Sequence, residues 1–99
     1  MQQEEADRGQ SVRVTVSLPA PLVRLFPDAG DRVEMEASCV RSMIDELDRR
    51  WPGMKDRLCD SSPAIRKHLN IFVEGRRAKL DTPLKPDTQV TILTAMSGG

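Results

Sequence analysis

Few residues in this 99-residue chain could do chemistry, and they do not cluster. Cys39 stands just ahead of a helical pattern, where a helix dipole can lower a thiol pKa. It has no partner at CxxC spacing, and His68, the single histidine, is distant in sequence. A structural thiol is the favoured reading for Cys39 and for Cys59, because free cysteine is commonly buried. His68 stands alone before a strand, and metal sites need clustered ligands, so neither metal binding nor base catalysis is assigned to it. With no nucleophile–base pair and no metal cluster in view, the chain is not read as an independent enzyme. The pairs Arg76-Arg77 and Arg66-Lys67, with His68, are read as solvated loop charges; the alternative is an acidic partner, which would make association salt-dependent. What remains is Gly98-Gly99. Two consecutive terminal glycines arise by chance in about one chain in two hundred, so a frayed end is the plain alternative.

The bulk properties bound what those residues can serve. A chain of this length makes one domain and buries roughly 60–68% of the surface its unfolded form exposes. That supports one modest core and leaves little room for a deep enclosed site. Fifteen basic residues balance fifteen acidic ones, unlike the basic footprint of a phosphate-backbone binder. Three aromatic residues, with no Tyr, also argue against a base-stacking platform for nucleic acid. No stretch approaches the ~20 apolar residues of a membrane span. Two cysteines and no signal-peptide pattern point to a reducing cytoplasm.

The elements that must position the terminus follow from periodicity. Residues 1–10 (MQQEEADRGQ) are expected to form a disordered tail. Ser11 to Leu18 alternates, with Val12, Val14, Val16 and Leu18 on one side, which indicates a half-buried strand ended by Pro19 and Pro21. Leu22 to Phe26 reads as an apolar loop closed by the turn Pro27-Asp28-Ala29-Gly30. Arg32 to Glu36 alternates again, so the first two strands form a hairpin. The period then switches: Val40, Met43, Ile44, Leu47 and Trp51 share one helical face. Ser38 is the expected N-cap, Pro52-Gly53 stops the helix, and Met54 to Leu58 supplies one further turn. Leu69 to Val73 is a strand and Glu74-Gly75 a turn. Arg76 to Leu80 is a short edge strand, and Gln89 to Thr94 is the last strand, with Val90 and Ile92 facing inward. The domain spans 11–94 and residues 95–99 form a flexible tail. Strands around one main helix give an α+β fold with a mixed four- to five-stranded sheet. Central parallel pairing of the first and last strands makes it a β-grasp.

On that frame, the stretch from Val90 to Gly99 (VTILTAMSGG), with Trp51-Pro52-Gly53 and Asn70-Ile71-Phe72-Val73, resembles the MoaD/ThiS family of molybdopterin-synthase small subunits and thiamine sulfur carriers. Asp60-Ser61-Ser62-Pro63 ahead of Leu69-Asn70-Ile71 is most similar to the CysO type, which feeds cysteine biosynthesis. The resemblance implies a ubiquitin-like carrier that holds no cofactor of its own. A partner adenylating enzyme, of the ubiquitin-activating kind, would use ATP to activate the carboxylate of Gly99. A persulfide or other sulfur donor would then leave a thiocarboxylate for a downstream synthase. Gly98 suits this role because glycine, lacking Cβ, lets a tail thread a narrow channel. Phe72 and Leu93, directed away from the expected core on adjacent strands, would form the partner-binding surface with Met96 and Ser97; cover of Phe72 by Leu22 to Phe26 is the alternative. Two other functions compete: a protein modifier joined to lysines through Gly-Gly, and a passive binding module with an inert terminus.

Overall fold

The computed structural model describes residues 11–62 and 64–94. The expected tails, 1–10 and 95–99, lie outside the described residues.

Strand β1 (Val12–Ser17) pairs antiparallel with β2 (Arg32–Ala37), with Val14 opposite Met35 and Val16 opposite Val33. The alternation read from the sequence sets this register, since a one-residue slip would expose every buried side chain. The sheet continues through β5 (Thr88–Thr94), which lies parallel to β1 and antiparallel to β3 (Leu69–Val73). The short β4 (Arg76–Arg77) closes the far edge, giving the order β2-β1-β5-β3-β4. First and last strands are therefore central and parallel, with the helical segments in the crossover, as a β-grasp requires.

One face of this sheet is apolar and covered by α2 (Val40–Arg50). Val40, Met43, Ile44 and Leu47 are at most 1% exposed, and they meet an equally buried set: Val14, Val16, Ile71, Val90 and Ile92. Each such side chain contributes about 1.5–3 kcal/mol on burial; truncating Leu47 to alanine at the centre would cost roughly 2–5 kcal/mol. The start of α2 is tied into the segment following β4, because Val40 N–H donates to the Thr82 carbonyl and Arg41 N–H to that of Leu80. At its far end, the Asp48 carboxylate accepts from the N–H groups of Gly53 and Lys55, both at 3.0 Å, and so starts α3 (Met54–Leu58).

Two local expectations are corrected. The segment after β1 is a helix, α1 (Ala20–Leu25), rather than a loop. Prolines favour its first turn, where their missing N–H leaves nothing unpaired: Pro19 is the N-cap and its carbonyl accepts from Leu22 and Val23. Buried Leu22 anchors the turn to the core. The cap of α2 is likewise shifted by one residue. Cys39, not Ser38, is the N-cap. The hydroxyl that closes the turn belongs to Ser42, which accepts from Ser38 N–H at 3.0 Å and Cys39 N–H at 3.1 Å and donates to the Cys39 carbonyl at 3.0 Å. Smaller differences lie at strand ends. β5 starts one residue earlier, at buried Thr88, whose hydroxyl is 3.3 Å from the Glu74 carboxylate. β4 stops at Arg77 because Ala78 and Leu80 turn into the core.

Candidate functional site

The position of β5 sets the point from which the C-terminal residues depart. It is hydrogen-bonded on both sides, with Val16 opposite Val90 on one flank and Ile71 opposite Ile92 on the other. Its last residue, Thr94, is still held opposite Leu69. Whatever follows Thr94 therefore leaves from a fixed point at the middle of the sheet. Of the residues expected to carry function, Met96, Ser97, Gly98 and Gly99 lie outside the described residues.

The other two, Phe72 and Leu93, lie on the face opposite α2. Phe72 pairs with Thr91 and Leu93 with Asn70, so the two side chains are diagonal neighbours on that face. Leu93 is 47% exposed, one of two large apolar side chains exposed to this degree among the described residues. Phe72 is half-buried. In the segment that could have covered it, Leu22 belongs to the core, Val23 and Phe26 pack against that core, and Leu25 is 50% exposed. The surrounding face is polar. Register lines up Arg32, Ser17, Thr91, Phe72 and Arg77 in one row across all five strands, while Glu34, Thr15 and Gln89 make the next. The result is a small apolar patch on a wet face, with an arginine at either end of its row and the exit of β5 beside it.

The other chemically capable groups are dispersed. Among the described residues, no three His, Cys, Asp or Glu side chains approach closely enough to hold a metal ion. His68 is exposed. Cys59 is buried, and burial pushes its thiol up. At half-buried Cys39, desolvation also raises the thiol, but hydrogen bonds with Ser42, Arg41 and Ser38 together outweigh it and the net shift is downward. No helix among the described residues is long and apolar enough to cross a membrane.

One grouping could not be read from sequence. The pair Arg66-Lys67 and the more distant Arg77 converge with Arg41 and Lys79 around a groove beside β3. Only the docking of the segment after β4 onto β3 places them together; the basic pairs Arg66-Lys67 and Arg76-Arg77 were the available signal.

Known proteins share this architecture. A chain of the BexX/CysO complex of Amycolatopsis orientalis superposes with a TM-score of 0.76 at 29% identity, covering 87% of this chain and 99% of its own. Mycobacterium tuberculosis CysO gives 0.75 at 27% identity, over 84% and 99%. A putative molybdopterin converting factor subunit 1 from Pyrococcus furiosus gives 0.68 at 27% identity, over 87% and 100%. Comparison with curated protein sequences returned no significant match. The sequence profile of the ThiS family matches residues 16–99, from Val16 near the end of β1 through both terminal glycines. With that match over most of its length and the β-grasp sheet it predicts, this chain belongs to the ThiS family of ubiquitin-like sulfur carriers.

Proposed function

We propose that the chain carries sulfur on the carboxyl carbon of Gly99, as a protein co-substrate rather than a catalyst. The observation that carries this reading is the central, doubly paired β5, which launches a family-matched Gly98-Gly99 tail from a rigid point. A carboxylate oxygen of Gly99 attacks the α-phosphorus of ATP in a partner adenylating enzyme, releasing pyrophosphate and forming an acyl-adenylate. The terminal sulfur of a persulfide attacks the acyl carbon and AMP leaves. A second thiolate then cleaves the resulting acyl disulfide, leaving the thiocarboxylate on Gly99 and a disulfide on the donor. A downstream synthase of the cysteine, molybdopterin or thiamine type accepts the sulfur; likeness to two CysO-containing structures supports the first. The carrier supplies no acid or base. Its contribution is position, holding the reacting atom at the end of a thin tail so that binding replaces a random encounter. Phe72 and Leu93, with Met96 and Ser97 beyond them, form the face the partner recognises.

The test is an intact mass of the untagged protein purified from its own host. A fraction heavier by the difference between sulfur and oxygen, abolished by truncating Gly99 or by adding one residue after it, is the expected result. High-mass lysine conjugates in the lysate would instead mark a protein modifier. An unmodified mass that persists after incubation with ATP, the host's adenylating enzyme and a sulfur source would leave an inert binding module.

A further inference from the structure

The groove beside β3 has a volume of about 500 Å³, within the range of sites that take up a ligand or a few side chains. Its floor is apolar: Ile65, Leu69, Ile71, Ala78 and Leu80. Backbone hydrogen bonds hold the walls together. Ala78 N–H donates to the Ile71 carbonyl at 2.7 Å, and Leu69 N–H to the Arg66 carbonyl at 3.0 Å. Arg41 N–H donates to the Leu80 carbonyl at 2.8 Å, so α2, β3 and the segment after β4 all contribute to one concavity.

The rim is predominantly basic. Arg41, Arg66, Lys67, Arg77 and Lys79 line it, against Asp81 alone, with Arg77 at the edge strand, in register with Phe72 on the face opposite α2. In a chain whose charges balance overall, this is strong segregation. None of the five cations takes part in an ion pair among the described residues, where the pairs present are Arg49 and Arg50 with Glu46, and Lys55 with Asp45. The groove also adjoins the tail's point of exit, because Leu69 pairs with Thr94 and Asn70 with Leu93. A protein that takes up the tail therefore meets this rim one strand away.

We infer that the groove is a docking site for an acidic, partly apolar peptide segment of the protein partner that engages the C-terminus. Carboxylates of that segment face Arg41, Arg66, Lys67 and Lys79, and its apolar side chains enter the floor. A nucleic acid fits less well, since no aromatic side chain lines the groove to stack a base. This deepens the carrier reading by giving its partner's chemistry, and it rests on that reading for the partner's role. Binding at the groove does not involve the tail, so the two ideas fail separately.

The test is an amide-shift NMR titration of the full chain with a synthetic decapeptide alternating Glu and Leu. Its Lys and Leu counterpart and the oligonucleotide dT10 serve as comparison ligands. The acidic peptide is expected to shift Leu69, Ile71, Ala78 and Leu80, to weaken with added salt, and to lose about tenfold or more in affinity in K67E/K79E. Both lysines are exposed, so the double variant keeps its fold, checked by the unperturbed remainder of the spectrum. Four results would each overturn the inference: no shift at millimolar acidic peptide, equal binding of the basic peptide, unchanged affinity in K67E/K79E, or tighter binding of dT10. Any of them leaves the thiocarboxylate measurement untouched. An unmodified intact mass would equally leave the groove in place and remove only the carrier.

Discussion

Replacing Ser42 with alanine should cost more than replacing Ser38, although Ser38 is the residue the sequence pattern nominates as the cap. The Ser42 hydroxyl takes the N–H groups of Ser38 and Cys39 at 3.0 and 3.1 Å, whereas the Ser38 hydroxyl has only a 3.3 Å contact with Ser42. S42A therefore strands two donors at the start of α2. An unsatisfied buried donor costs about 1–3 kcal/mol, and a lost cap typically ~1 kcal/mol. This site is only part-buried, so water recovers some of the loss and S42A should cost about 1–2 kcal/mol. In a domain of this size that lowers Tm by roughly 5–15 °C. Urea unfolding of wild type, S42A and S38A measures the difference, with an unchanged slope showing that the unfolded state is not the cause. The same substitution has a chemical readout. Burial raises the Cys39 thiol, and hydrogen bonds with Ser42, Arg41 and Ser38 together bring it below its ordinary value. S42A removes only the share of the Ser42 hydroxyl, so it should slow alkylation of Cys39 modestly near neutral pH. Cys59, buried and shifted upward by desolvation, is the internal control. If S38A proved the more destabilising, or Cys39 reacted as fast in S42A as in wild type, the role given to the Ser42 hydroxyl in closing the turn at Cys39 would be wrong.

Three further outcomes follow from the same geometry. Hydrogen bonds from Arg49 and then Arg50 hold the Glu46 carboxyl at about 2, below the usual ~4.3. Its stabilising effect is therefore complete above the ordinary value and fades as pH falls through the folded one. With Arg49 largely in solvent, E46Q should cost only about 0.5–1 kcal/mol at neutral pH, and urea melts from pH 7 down to pH ~2 should show the gap closing below pH ~5. Gly53 has φ +102°, and a Cβ there would meet only the Phe26 ring at 3.7 Å, an ordinary contact. G53A should thus lose about 1–2 kcal/mol in thermal unfolding from backbone strain alone, and a neutral result would deny that this conformation is needed. L93D places a charge on a side chain that is already 47% exposed, so stability should move by less than about 0.5 kcal/mol. Adenylation by the partner enzyme should fall at least about tenfold in kcat/KM if the apolar face is an interface; an unchanged rate would remove it from that role.

How far each of these features could be read in advance depends on how local its cause is. The strands at Val12–Ser17 and Leu69–Val73 and the helix at Val40–Arg50 are legible because burial of one face imposes its period on the chain. Gly98-Gly99, and the resemblance built on the residues around it, is likewise a property of adjacent letters. The cap of α2 falls one residue beyond Ser38, at Cys39, with the hydroxyl coming from Ser42, an offset that accompanies the helix's docking against Leu80 and Thr82. The helix Ala20–Leu25 was hidden because proline can begin a helix or break a strand, and the burial of Leu22 decides between them.

By itself, then, the sequence determined the β-grasp order of elements, the apolar faces and the presence of the Gly98-Gly99 pair, since each is encoded over a few neighbouring residues. Tertiary structure alone decided that Phe72 and Leu93 are diagonal neighbours across β3 and β5, next to the end of β5. It also decided that Arg41, Arg66, Lys67, Arg77 and Lys79 surround one groove. Both depend on strand register and on contacts between residues far apart in the chain, and no local period records those.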